Sequence, residues 1–207
     1  MNSRTKLTII ILLLTTAIGI SSCSNTVTPG EYYQYINNPK NGLVQEKKVG
    51  HLTFRCEYKP AAFLLLNEKN KAFNTDKQPF NEKELLDEAN QFVTFHLKIS
   101  SDVNSDFLKA DLQNQNQYYE RLNYYNANIT NDFVLIHQND TIPCNYTYLE
   151  RNFGIGNETT LIVGFQKEHF TPSGNLQLYL YERAFNIGQM QFDFSISNIN
   201  NIPKVKL

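Results

Sequence analysis

The side chains with catalytic or ligating chemistry are few and scattered, and each has a plainer reading beside it. Asp102-x-Asn104-x-Asp106 places oxygen donors at alternate positions, as the opening of a calcium loop does. The loop's glycine position holds Phe107 and its closing glutamate position holds Gln113. Acids and Ser105 ahead of a helix are also what N-capping asks for. Gly154-Ile155-Gly156 lacks the third glycine and the lysine of a phosphate-cradling loop, so it reads as a turn. The histidines His51, His96, His137 and His169 form no H-x-x-x-H or H-E-x-x-H pair. Only His96 and His137, both in strand-like segments, could be brought together by the fold. There is no G-x-S-x-G elbow, and a pair of glycosidase carboxylates is not marked by spacing. No catalytic residue, metal site or cofactor is therefore expected.

The thiols carry more information. Cys56 and Cys144 are candidates for a disulfide, the alternative being two buried thiols packed as small apolar groups. Tyr118-Tyr119 and Tyr124-Tyr125 could form a binding platform, or could pack one helix face against a sheet.

Cys23 stands where an apolar run ends. Arg4 and Lys6 form a short basic start, and Leu7 to Ile20 is apolar apart from threonines and one glycine. A membrane-spanning helix takes roughly 20 apolar residues, so this run suits a signal-peptide core better than an anchor. Ile20-Ser21-Ser22-Cys23 resembles the lipobox of bacterial lipoproteins. That resemblance covers residues 1–24 and implies cleavage between Ser22 and Cys23. It further implies lipidation of Cys23 with palmitate-type acyl chains, several of which anchor stably where one does not. In enterobacterial lipoproteins an Asp after the cysteine retains the protein at the inner membrane, so by this resemblance Ser24 implies the outer membrane of the cell envelope. Surface-exposed lipoproteins of Bacteroidetes often carry an acidic run there, and its absence implies, by the same resemblance, the periplasmic face over the cell surface. With its many asparagines the chain is similar in type to Bacteroidetes envelope lipoproteins. Asp140-Thr141-Ile142 likewise resembles their short O-glycosylation site, which makes Thr141 a candidate acceptor.

Charge narrows the partners. Net charge is −1, and removing a leader that carries Arg4 and Lys6 but no acid makes the remainder more acidic. Without a basic excess, nucleic acid is not an expected partner. The 12 Tyr and 14 Phe, with no Trp, suit a β-rich core.

These residues must be held by elements that alternate. Leu52, Phe54, Cys56 and Tyr58 alternate with Thr53, Arg55, Glu57 and Lys59, predicting a strand with one buried and one wet face. Pro60 ends it and opens a short helix, AAFLLLNE. Asn81 caps another helix, with Glu84 three residues on. Residues 91–100 return to strand, and Ser105 to Asn126 is the main helical candidate. Phe133 to His137 and Thr141 to Glu150 predict a hairpin whose second strand carries Ile142, Cys144, Tyr146 and Tyr148 on one face. Further strands are expected at 160–165, 176–181 and 190–197. The predicted architecture is mainly β, an antiparallel β-sandwich with a helical insertion at about residues 81–126. The expected divisions are a signal peptide (1–22), a lipidated tether (23–30) and one β-rich domain (31–207).

The sequence thus points to a membrane-tethered envelope lipoprotein whose domain is a non-enzymatic binding or assembly module for a protein or glycan. The alternative is an envelope hydrolase acting on glycan or peptidoglycan. An apolar cavity inside the sandwich would instead indicate a lipid carrier.

Overall fold

The computed structural model describes residues 26–75, 81–151, 156–167, 170–171 and 173–206, and only the backbone of 72–75. Two antiparallel sheets pack face to face. The larger has the order β2 (Val44–Val49), β3 (Leu52–Lys59), β4 (Phe92–Ser101), β8 (Glu158–Gln166), β7 (Tyr146–Glu150). The smaller runs β10 (Gly188–Ser195), β9 (Asn175–Glu182), β5 (Phe133–His137), β6 (Asp140–Pro143). The expected β-sandwich is therefore present. Its core is made by the alternating apolar faces: Phe54, Cys56, Phe95, Leu97, Leu161 and Val163 from one sheet meet Leu178, Leu180, Phe192 and Phe194 from the other. Phe95 and Phe194 meet across it with ring centroids 5.0 Å apart.

Residues ahead of Glu31 are already part of the fold. β1 (Thr26–Val27) pairs in parallel with β11 (Lys204–Val205). The helix α1 (Pro29–Asn37) then starts in a capping box: Thr28 accepts from the Glu31 N–H, and the Glu31 carboxylate accepts from the Thr28 N–H. Residues 26–30, expected in the tether, belong to the domain.

The second face of the larger sheet is not wet. α1, α2 (Ala61–Thr75) and α3 (Glu82–Asn90) accompany it, and Tyr33 of α1 packs edge-on to Phe63 of α2 at 5.3 Å. Under them Glu57 is 0 % and Lys59 3 % exposed, although both alternate as surface residues should. Asn81 caps α3 as expected, accepting from the Glu84 N–H.

The helical insertion is not continuous. β4, the central strand of the larger sheet, runs through it, and helices lie on both sides of that strand in the chain. The predicted 105–126 helix is shortened as well. A 3-10 turn at Phe107–Lys109 is followed by a break at Asp111, which is left-handed (φ 52). The true helix, α4 (Gln115–Asn123), starts only where Asn114 caps it. It runs on into a π-helical turn, Tyr124–Asn128.

The predicted hairpin partner 141–150 splits in two. Pro143 has no N–H to continue a ladder, so β6 stops there and pairs with β5, whereas β7 crosses to the larger sheet and pairs with β8. Ile142 is buried, while Tyr148 is 62 % exposed on the other sheet. The four residues do not share a face.

Two devices close the sides of the sandwich. Between β2 and β10 the Gln45 side-chain amide donates to the Asp193 carbonyl and accepts from its N–H (3.0 Å). On the far side the segment 115–132 spans from β7, through Thr130 Oγ1 to Thr147 Oγ1 at 2.6 Å, to β9, through Tyr125 and Glu182. Among the described residues no helix is long and apolar enough to cross a membrane.

Candidate functional site

The spanning segment leaves a polar cleft against the β9–β10 loop. Gln117, Glu120, Arg121 and Tyr124 form one wall, and Arg183, Ala184 and Asn186 form the other, around about 330 Å³ of space. Their order on the helix explains the grouping: positions three and four apart share a face.

Each wall is held from behind. Glu182 is fully buried. Its Oε1 accepts from Tyr125 Oη (3.1 Å) and the Ala184 N–H (2.9 Å), and its Oε2 from the Phe185 N–H (2.9 Å). Burial pushes the Glu182 carboxyl above the ordinary range, partly offset by these donors. The same burial, with Glu182 beside it, drives the Tyr125 phenol well above its usual value. The loop this carboxylate holds includes Asn186 in a left-handed conformation (φ 56). Tyr124 Oη donates to the Tyr181 carbonyl and accepts from the Arg183 N–H, both at 3.3 Å. Arg183 is paired with Asp132 at 2.6 Å.

Arg121 is the unusual member. It is only 6 % exposed, and its Nη1 donates to the carbonyls of Leu108 (3.1 Å) and Ala110 (2.5 Å). Its guanidinium stacks on the Phe185 ring at 3.9 Å. Its Nε is buried without a hydrogen-bond partner. A π-helical turn, a left-handed non-glycine residue and a buried cation with one unsatisfied N–H thus meet at one place. Each costs free energy, and such features cluster where a chain does its work.

The residues singled out by sequence lie elsewhere, or serve structure. Asp102 is bound by Lys48 (3.0 Å) and His51 (2.9 Å). Asn104 Oδ1 accepts from the Asp106 N–H and Asp106 Oδ1 from the Leu108 N–H, so these oxygens cap a turn rather than converge. Among the described residues no group of three His, Cys, Asp or Glu side chains is placed to hold a metal. His96 sits on the helix side of the larger sheet and His137 in the smaller one, where it stacks on Phe170 and meets Thr171 at 2.9 Å. The fold does not pair them. His169, Gly154, Ile155, Ser22 and Cys23 lie outside the described residues. Thr141 is exposed on the edge strand β6.

Cys56 and Cys144 are free thiols. Cys56 faces the sandwich core, and its row across the sheet runs through Leu97 to Leu161. Cys144 is on the β6–β7 connection, its Sγ 3.5 Å from the carbonyl of Gly164, three residues along β8. Two strands across and three residues along is roughly 14 Å, beyond the Cα separation of about 7 Å that a disulfide bridges. The disulfide is not formed because Pro143 ends β6 and takes Cys144 out of the core-facing alternation.

The tyrosine pairs divide rather than form one platform. Tyr125 is core, Tyr124 lines the cleft, and Tyr118 and Tyr119 flank a shallow groove on another face of α4. Sequence reasoning missed Arg121, Arg183 and Glu182. Nothing in their spacing marks them, because the cleft joins segments some sixty residues apart, as in the Tyr125–Glu182 bond.

Compared with known proteins, the chain fits no family model and matches no curated protein and no solved structure.

Proposed function

We propose that this chain is a lipid-tethered protein of the cell envelope whose β-sandwich binds a ligand without transforming it, in the cleft between α4 and the β9–β10 loop. The observation that carries the binding reading is the buried Arg121 guanidinium beneath an open polar cleft. A site that offers fixed donors from Arg, Gln and Asn with a tyrosine beside them is suited to holding a polar group in one orientation. The most buried carboxylate behind it, Glu182, has its oxygens occupied by backbone N–H groups and a phenol, so it serves the loop rather than acid–base chemistry.

The tether reading rests on Ile20-Ser21-Ser22-Cys23, the basic start and the apolar run. Outer-membrane placement on the periplasmic side rests on Ser24 and the lack of an acidic run. Thr141 completes the reading as a glycan acceptor, supported by its exposure on an edge strand.

Intact-mass spectrometry of the mature protein tests both modifications. The expected N-terminus is Cys23 carrying two or three acyl chains, with palmitate label lost in Cys23→Ala. A glycan mass should disappear in Thr141→Ala. Label retained without Cys23, or an unshifted mass, removes the corresponding claim. Protease digestion on intact and lysed cells decides the face: protection until lysis is expected, and digestion on intact cells overturns the periplasmic placement.

A further inference from the structure

We infer that the open edge of β10 receives an extended peptide strand from a partner protein, one that carries an acid two residues from an apolar side chain. The groove between β10 and β2 is the docking surface, and nothing in the inference depends on the cleft at α4.

β10 is an outermost strand of its sheet, so every second residue turns its backbone N–H and C=O away from β9. The alternation is fixed at two places. The Ile196 N–H donates inward to the Gly174 carbonyl, whereas the N–H and C=O of Asp193 are met from outside by the Gln45 amide. Gln189, Gln191 and Asp193 therefore face outward. The Gln45 amide stands where the peptide group of a neighbouring strand would, and it satisfies one of the three. Among the described residues nothing bonds the backbone N–H or C=O of Gln189 or Gln191. Gln189 is exposed and Gln191 half-buried, and about 550 Å³ of open groove lies along them.

The opposite wall selects the occupant. Gln45, Lys47 and Val49 share the core-facing side of β2, since their partners on β3 are Cys56, Phe54 and Leu52. Lys47 Nζ lies 5.8 Å from the Phe192 ring centre, and no carboxylate pairs with it among the described residues. Lys48, on the other face, is bound to Asp102. A strand added to β10 points alternate side chains at this wall. The one opposite Phe192 meets Lys47, and the one opposite Met190, two residues on, meets Val49 and Ile187. A neutral apolar strand would bury the ammonium unpaired, and inward-pointing charges keep sheet edges from indiscriminate pairing for this reason. A carboxylate at that position removes the cost. The strand admitted is thus acid-x-apolar, read antiparallel to β10, where one residue exchanges both bonds with Gln191 and another with Gln189. Main-chain bonds supply the attachment and the two side chains supply the choice.

The test uses the full chain in detergent, with titration calorimetry and amide chemical shifts. The probe is acetyl-Glu-Thr-Val-Thr-Val-amide, which should shift the amides of Gln189 and Gln191. Glutamine in place of its glutamate should weaken it about tenfold. N-methylation of its first threonine, the residue opposite Gln191, should weaken it by about tenfold or more. Lys47→Glu should lose the probe and bind instead the peptide with lysine in place of glutamate, an exchange that damage to the fold would not produce. Equal binding of the glutamate and glutamine peptides, undiminished binding of the N-methyl peptide, or binding indifferent to Lys47→Glu overturns the inference. So does a probe that fails to bind or leaves both amides unmoved. If those amides shift with protein concentration alone, the occupant is a second copy of this chain and the partner inference falls.

Discussion

Glu182 is a fully buried carboxylate with no cation bonded to it among the described residues, and hydrogen-bond donors alone hold it. Its role is that of a cap for the loop it precedes, which the chain uses to set one wall of the cleft. Tyr125→Phe removes one donor while the Ala184 N–H remains on the same oxygen. The expected loss is about 1 kcal/mol, seen as a lower urea midpoint with unchanged slope. Glu182→Ala strands two backbone N–H groups and the Tyr125 hydroxyl in the interior, and should cost roughly 3 kcal/mol. Equal costs for the two variants would mean that the phenol, not the loop, is what Glu182 holds. None of this could be read along the chain. Glu182 falls at the end of a strand where a solvent-facing acid is ordinary, and Arg121 is one more basic residue on a polar helix.

The larger sheet teaches a similar lesson for elements. Strict alternation predicts a wet face for Thr53, Arg55, Glu57 and Lys59, but periodicity records only polarity, and helices covered this face. Burial raises the Glu57 carboxyl, yet Lys59 at 2.8 Å, Arg55 at 2.6 Å and Lys98 at 3.3 Å outweigh it and hold it down at about 2. Lys59 also lies 4.2 Å from the Phe63 ring centre, and donates to Asn37 of α1. Beside this cluster, burial and the charge of Lys59 push His96 down to about 4. The unfolded chain therefore takes up the His96 proton first, at its ordinary value of 6.5. Stability should be complete above that pH and fall between 6.5 and 4, by on the order of 3 kcal/mol. Glu57, lowered rather than raised, adds a second loss as pH falls from 4.5 towards 2. Urea midpoints measured against pH check this. His96→Asn should remove the first step and leave the second, and an unchanged first step would place its origin elsewhere. Alternation did reveal β3, β4, β9 and β10, whose buried apolar residues recur at every second position. It failed at 141–150, where a proline divides one apparent strand between two sheets.

At the scale of the molecule, the class of fold was legible because both sheets bury one clean apolar face. Which strand joins which sheet was not, since that depends on pairings between residues far apart in the chain. The thiols test the arrangement directly. Peptides of Cys56 and Cys144 should be recovered unjoined without reductant. Burial raises the Cys144 thiol to about 11, and that of Cys56 well above its usual value. Native protein should therefore alkylate slowly at Cys144, and at Cys56 only when the sandwich opens. Joined peptides would contradict the register of β3, β4 and β8.

That register has a further consequence for the nascent chain. β4 draws one neighbour from just before it and the other, β8, from Glu158 onward. While the polypeptide emerges, everything up to Ser101 can pair as β2–β3–β4 long before β8 exists. Through that interval Val93, Phe95, Leu97 and Ile99 belong to a strand with a bare rail of backbone donors and acceptors. Such a rail is adhesive towards any other extended chain. Stalling partway through synthesis is thus the moment of greatest hazard for this protein, and a holding chaperone would find its natural grip on β4.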